Sequence, residues 1–260
     1  MRHRLGWLFA LAFALVASVA FGHDEAPHEV AGDLTLSAHE LTRFLHVVLL
    51  VFWMGPEIGI MVAGHHAVDT SLSAAQRAGA ARLMQYYDIM PRVCMSLMLT
   101  VGGVLSEQVG LEHPWWQMAG IWLLGPVWLA LTLWAYFTAS DGAAGLADRL
   151  ETALRIVLIV AVPVSVAWSI STDRLAAAPY VGGKLILFAA VLLLGLLARR
   201  AWGPFRAAAK ELLASGASAE LDARMTGSFR SGRLYVYLMW VALLVAALMG
   251  IVKAGAPDAG

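Results

Sequence analysis

Three scarcities bound this chain before any motif is read. Only 14% of its 260 residues are charged, against about 25% in an ordinary soluble domain, which excludes a conventional water-facing surface. It has one cysteine, Cys94, so no internal disulfide can form and cysteine usage is silent about compartment. Its formal net charge is zero, which argues against nucleic acid as a partner. There is also no internal repeat, no low-complexity tract and no stretch polar enough to form a separate soluble domain.

What is abundant is apolar sequence: 60% of the residues are hydrophobic, gathered in blocks long enough to cross a bilayer. The first block has the form of a targeting segment. Arg2, His3 and Arg4 precede the apolar run Leu5 to Ala20, and small residues at Ser18, Ala20 and Gly22 offer cleavage before Phe21 or before His23. An uncleaved signal anchor is the alternative. Residues 1–22 are therefore expected to be a signal segment, and 23–41 a short extracytoplasmic stretch. Six spans are expected after it, at about 42–64, 93–110, 117–138, 154–171, 181–198 and 234–253. The fold class is thus an all-α polytopic bundle embedded in the lipid bilayer, its transmembrane domain covering about 42–254.

Charge asymmetry orients the bundle. With the first span starting outside, the inner connections and Arg155 hold twelve of the eighteen basic residues. The outer side and outer helix ends hold Arg43, Arg174, Lys184 and Lys253. Twelve against four places the mature N-terminus outside. Ser37–Glu40 and Ser73–Gln76 are capping boxes, expected to start the first span near Ala38 and a short surface helix near Ala74 that stops ahead of Pro91. Pro204 to Met225 reads as a second surface helix, broken near Gly216.

Within the first span, FLHVVLLVFWMGPEIGIMVAG, two residues resist hydrocarbon: His46 and Glu57. An ionisable group there costs about 2.5–3.5 kcal/mol on the insertion scale, so such residues usually face the bundle and have a task. At 100° per residue, His39, His46, Trp53 and Glu57 share one face. Sorted by depth, His46 and Lys184 lie in an outer layer with Glu107, His113 and His39 close by. An imidazole in that layer can ligate haem iron or copper, and a lysine can hold a carboxylate as a point charge. Glu57 lies about 16 Å deeper, placed to relay protons or to act as a neutral structural acid. A second layer on the inner side, with His65, His66, Asp69, Asp88 and Arg92, reads as a polar cap. Met95 and Met98 have ordinary core spacing. His23, if it became the mature N-terminus, could chelate Cu(II) through its amine and imidazole together; a solvated tether is the plainer reading of the acidic His23–Glu29 segment.

His46, Trp53-Met54-Gly55, Gly102-Gly103 and Gly183-Lys184-Leu185 together resemble the HemJ-type protoporphyrinogen oxidases, which carry a histidine and, seven residues on, a tryptophan in their first helix and a lysine opening a later one. The lysine segment is also similar to the CopD copper-resistance membrane domain. The resemblance covers the first, second, fifth and sixth spans and makes the third and fourth an inserted hairpin. Leu238-Met239-Trp240 stands where the HemJ-type family has an Asn-Glu-x-Pro run.

The resemblance implies a bacterial cytoplasmic-membrane protein with haem b bound through His46 and activity dependent on His46 and Lys184. Such a protein would be a haem-dependent oxidoreductase with a redox partner in the membrane. Trp53 would pack on the porphyrin, Lys184 would hold an anionic group of haem or substrate, and Glu57 would move protons. The CopD likeness implies the alternative of copper handling through His39, His46 and His113. A cofactor-free assembly subunit is the third class.

Overall fold

The computed structural model describes residues 37–137, 144–253 and 255. The expected signal segment and the His23–Glu29 tether lie outside them. Eight helices follow: α1 (Ala38–Val68), α2 (Ala74–Tyr87), α3 (Ile89–Gln108), α4 (Trp115–Phe137), α5 (Ala144–Ser171), α6 (Pro179–Ala201), α7 (Gly203–Ser215) and α8 (Ala219–Val252). Six helical stretches are long and apolar enough to span a membrane. This is an integral, multi-pass, all-α membrane protein.

Local chemistry sets the helix ends. Ser37 Oγ accepts the Glu40 amide at 3.2 Å while the Ser37 amide donates to the Glu40 carboxylate at 2.9 Å, so the box satisfies two amides that the helix itself cannot. Ser73 and Gln76 repeat the device at the start of α2. Pro91 falls in the first turn of α3, where a missing N–H breaks no helical bond. Beyond α1, the Asp69 carboxylate accepts the Ser71 amide and hydroxyl at 2.9 and 2.7 Å; these bonds hold its pKa below the usual carboxylate value. One expectation changes. The surface helix expected over Pro204 to Met225 breaks at Gly216 as its sequence implies, α7 stopping at Ser215 with Gly216 at φ +83, but the part from Ala219 belongs to a 34-residue helix that continues into the last span. A glycine in the positive-φ region ends α7, and Ser218 accepting the Leu221 amide restarts the chain as α8.

We call the end of the bundle that holds the start of α1 the upper face. Successive spans alternate in direction and pack in a ring, α1 against α3, then α4, α5, α6, α8 and back to α1. The α8–α1 seam is the lightest, and α2 and α7 cover the lower face. The α4–α5 hairpin is therefore an arc of the ring that joins α3 to α6. Without a strong hydrophobic drive between helices in lipid, close approach depends on small residues and side-chain hydrogen bonds. Thr100 supplies both donor and acceptor: its hydroxyl accepts the Gly125 amide at 2.8 Å and donates to the Ile121 carbonyl at 2.6 Å. It is thereby inserted into the helical ladder of α4, one residue before Pro126. A Cβ on Gly103 would collide with Ile121, and one on Gly64 with the Phe229 ring. Trp53, Trp128, Val191 and Leu192 are almost wholly enclosed, as are Cys94, Met95 and Met98, while Val51, Phe52, Val160, Val164, Val241 and Leu244 stay exposed on the outside. Such an outer apolar face is what lipid contact requires.

Candidate functional site

The helix-1 stripe resolves into separate levels. At mid-depth, Glu57 is 5% exposed. Trp53 Nε1 donates to Glu57 Oε1 at 3.0 Å and Trp240 Nε1 donates to Oε2 at 2.5 Å. Each indole has one N–H and each carboxylate oxygen takes one, so the acid is held on both sides. Trp53 lies four residues earlier on α1; Trp240 comes from α8. The clamp therefore pins the lightest seam of the ring. The Trp53 ring also meets Phe188 of α6 edge-on, with centroids 6.3 Å apart.

In the upper half, His46 is half-buried. Its Nδ1 is shielded from solvent and has no hydrogen-bond partner. The ring faces α3 at Gly102, where a Cβ would come within 3.3 Å of His46 Cε1. Lys184 on α6 lies within electrostatic range of this imidazole. Its ammonium stands 5.8 Å over the Tyr180 ring, and its stem lies against Gly250 of α8, where a Cβ would come within 2.9 Å of Cε. Among the described residues, Lys184 has no carboxylate partner. His46 and Lys184 thus lie within electrostatic range of each other from α1 and α6, two helices that are not adjacent in the ring. Glycines on both sides leave room for the two side chains.

The other upper histidines stand apart. His39 Nδ1 is also buried without a partner, but seven residues separate it from His46, about 10 Å of helix rise. His113 lies in the loop after α3 and is fully engaged. Arg174 Nη2 donates to His113 Nδ1 at 3.2 Å, and Nε2 meets Ser106 Oγ at 2.8 Å. Arginine only donates, so the ring is Nε2-protonated and donates to Ser106, whose hydroxyl donates to the Gly103 carbonyl at 2.6 Å. Burial holds the His113 pKa below the ordinary imidazole value. No three His, Cys, Asp or Glu side chains among the described residues gather as a metal site.

On the lower side, His65 Nδ1 pairs with the Met61 carbonyl at 2.7 Å and His66 Nδ1 with that of Val62 at 2.9 Å. Both bonds turn back onto the last turn of α1, in keeping with a polar cap. The main lower feature was not expected from the sequence. Glu151 of α5 is fully enclosed. It accepts Arg92 of α3 at 2.5 Å, Arg155 at 2.6 Å and the Thr132 hydroxyl at 3.0 Å, and Arg199 of α6 comes within 3.8 Å. Arg199 also pairs with Asp148. One carboxylate thus joins three arginines from three helices. The sequence places Arg92 in the lower polar cap, and Arg155 at the start of the expected fourth span, where it counts with the inner charges; neither reading gives them Glu151 as a partner. The Glu151–Arg155 spacing of four residues on a helix was the signal available.

Between this cluster and the Glu57 clamp lies a cavity of about 560 Å³, lined by residues from all eight helices. No protein-family model matches the chain, and neither does any curated protein or solved structure.

Proposed function

We propose that this membrane protein binds haem b through His46 and takes part in membrane redox chemistry. The observation that carries the reading is the His46 imidazole. It has a solvent-shielded nitrogen without a protein partner, it faces a glycine, and it lies near a lysine that has no carboxylate among the described residues. Buried polar atoms are nearly always satisfied, so one left alone calls for a reason. The partial likeness to HemJ-type proteins falls on the same two residues and supports the reading.

Haem, when bound, would supply one-electron exchange at its iron. The remaining work belongs to the chain. His46 offers a neutral ring nitrogen. Lys184 offers a point charge for a propionate or for an anionic substrate. Glu57, with both oxygens occupied by indoles, holds α1 against α8 and so keeps the histidine helix in register with the helix on which Lys184 rests. Trp53 serves that clamp rather than standing free to cover a porphyrin. The arginine-rich lower face is the cytoplasmic one by the positive-inside rule, which sets His46 and Lys184 toward the outside of a bacterial cytoplasmic membrane.

Copper handling draws less support: His113 has both ring nitrogens engaged, and His39 is a full two turns from His46. A purified sample decides. The expected result is a Soret band that sharpens and shifts on dithionite reduction and is lost in His46→Ala. A colourless wild type that takes up no added haemin, or a His46→Ala spectrum identical to the wild type, would overturn the proposal. Stoichiometric copper in that colourless protein would favour metal handling, and neither cofactor would favour an assembly subunit.

A further inference from the structure

The lower cavity is separate from the His46 level; Trp53 and Glu57 of the helix clamp close its upper end, and the rest of its lining is divided by chemistry. Its depth is apolar, with Ile60, Met95, Val191, Val236 and Met239 beside Trp53. Its rim carries four guanidinium groups, Arg92, Arg155, Arg199 and Arg206, against two carboxylates, Asp88 and Asp148. Both of those acids are about half exposed, with side-chain accessibilities of 53% and 49%, so water screens them. Glu151 does not line the cavity. It sits behind the arginines, with no exposure, and fixes their positions.

Its backing still leaves donors over. Nε of Arg92, Nε of Arg155 and Nη1 of Arg199 are buried without a hydrogen-bond partner, and Arg155 is only 4% exposed. A buried donor without an acceptor is expensive, and the three arginines that carry these atoms all line the cavity with Arg206, so a negatively charged acceptor is favoured there. Planar guanidinium groups match the oxygens of a carboxylate or phosphate. The volume lies within the range of small-molecule sites, about 300–1,000 Å³. Arg206 completes the rim from α7, its Nη2 donating to the Arg199 carbonyl at 3.1 Å.

From this we infer that the lower cavity is a binding site for an anionic amphiphile: a single apolar chain lying among Ile60, Met95, Val236 and Met239, with a carboxylate or phosphate head held by Arg155, Arg199 and Arg206. Both parts are needed. The apolar depth has no hydrogen-bond donor to spare for a polar body, since the indole of Trp53 is already given to Glu57. An anion without a chain leaves that depth unfilled.

Quenching of tryptophan fluorescence tests the site, because Trp53 and Trp202 line the cavity. The probe is 11-bromoundecanoate, titrated into the full chain in a neutral maltoside. The expected result is saturable quenching, reversed by excess dodecanoate or dodecyl phosphate but not by dodecanol or by inorganic phosphate. Gly195→Leu should abolish the saturable part. That residue lines the cavity, and a Cβ there meets only Met239 Sδ at 3.8 Å, so the larger side chain extends into the space. Arg206→Gln should weaken the apparent affinity about tenfold, as loss of one charged hydrogen bond does, and make it less sensitive to salt than in the wild type.

Competition by dodecanol equal to that of dodecanoate would show an apolar site without anion recognition and overturn the inference. Full competition by inorganic phosphate would show an anion site without a chain and do the same. Unchanged quenching in both Gly195→Leu and Arg206→Gln would place the probe in the detergent belt. Should Gly195→Leu fail to elute as a folded species, Arg206→Gln, on the lower face, decides alone. A His46→Ala protein should bind the probe normally, which separates this site from the haem proposal.

Discussion

The two halves of the bundle handle ionisable groups in opposite ways. Above Glu57, His46 and Lys184 stand with glycines opposite them and with no carboxylate partner among the described residues. Below it, Glu151 is saturated by two arginines and a threonine, with a third arginine 3.8 Å away. Arginines in a membrane bundle are tolerable when paired, and the lower set is paired across three helices. That pairing has a structural consequence, since removing one member of a buried ion pair leaves an uncompensated charge. The upper pair has no such role in holding helices together. A polar group that contributes little to the fold and still occupies an apolar span is the better candidate for chemistry. The lower cluster is mainly a brace, and its arginines line the cavity.

This contrast can be broken by substitution. The largest effect is expected at Glu151→Ala, which strands Arg92 and Arg155 in the interior; a loss of about 3–5 kcal/mol should appear as a collapse of thermal stability in detergent, with poor membrane insertion. Asp222→Ala comes next. Arg77 is 1% exposed and donates to Asp222 at 2.7 Å and to the Ala67 carbonyl at 3.1 Å, so the variant should lose about 3 kcal/mol in the same melting experiment. Glu57→Gln should be milder, about 1–3 kcal/mol: the amide oxygen still accepts one indole, but its NH₂ opposes the other. A red shift of tryptophan emission would report the released indole, and an emission spectrum and melt identical to wild type would remove the clamp from the account.

His46→Ala is expected to change stability by less than about 1 kcal/mol while eliminating the haem spectrum. A loss as large as that of Glu151→Ala would erase the distinction between the two halves. The smallest effect concerns pH. The folded pKa of His113 is held below its ordinary value of 6.5 by burial, so protonation opposes the folded loop. The contribution is complete above that value and is lost as pH falls through and below it. Faster amide exchange in residues 109–114 at pH 5 than at pH 7.5, once intrinsic rates are corrected, is the expected reading; His113→Gln should remove the difference.

Much of this was legible in the chain. The six spans follow from hydropathy and both capping boxes from four-residue patterns, because these depend on residues close together in the chain. The position of His46, Trp53 and Glu57 on one face followed from helical periodicity. The expected spans were short at their lower ends. Hydropathy marks where lipid begins, whereas α5 and α8 start about ten and fifteen residues earlier, outside the apolar stretch. Glu151 falls in that gap, and Arg155 stands at the edge of the expected span.

Trp240 lay in plain view in the sequence, but nothing local singled it out as the second donor to Glu57, 183 residues away. The engagement of His113 likewise depends on Arg174 from a different loop.

The sequence by itself determined the class of protein, the number of spans and the residues that hydrocarbon would reject, since each follows from composition and short-range period. Only the tertiary structure decided which of those residues are satisfied. Whether a buried carboxylate meets indoles, arginines or nothing depends on which helices close the ring, and helix-to-helix pairing is set by packing across long separations in the chain. For the same reason the hairpin of α4 and α5 reads as an addition in one dimension and stands in three as the arc that carries Glu151 to its arginines.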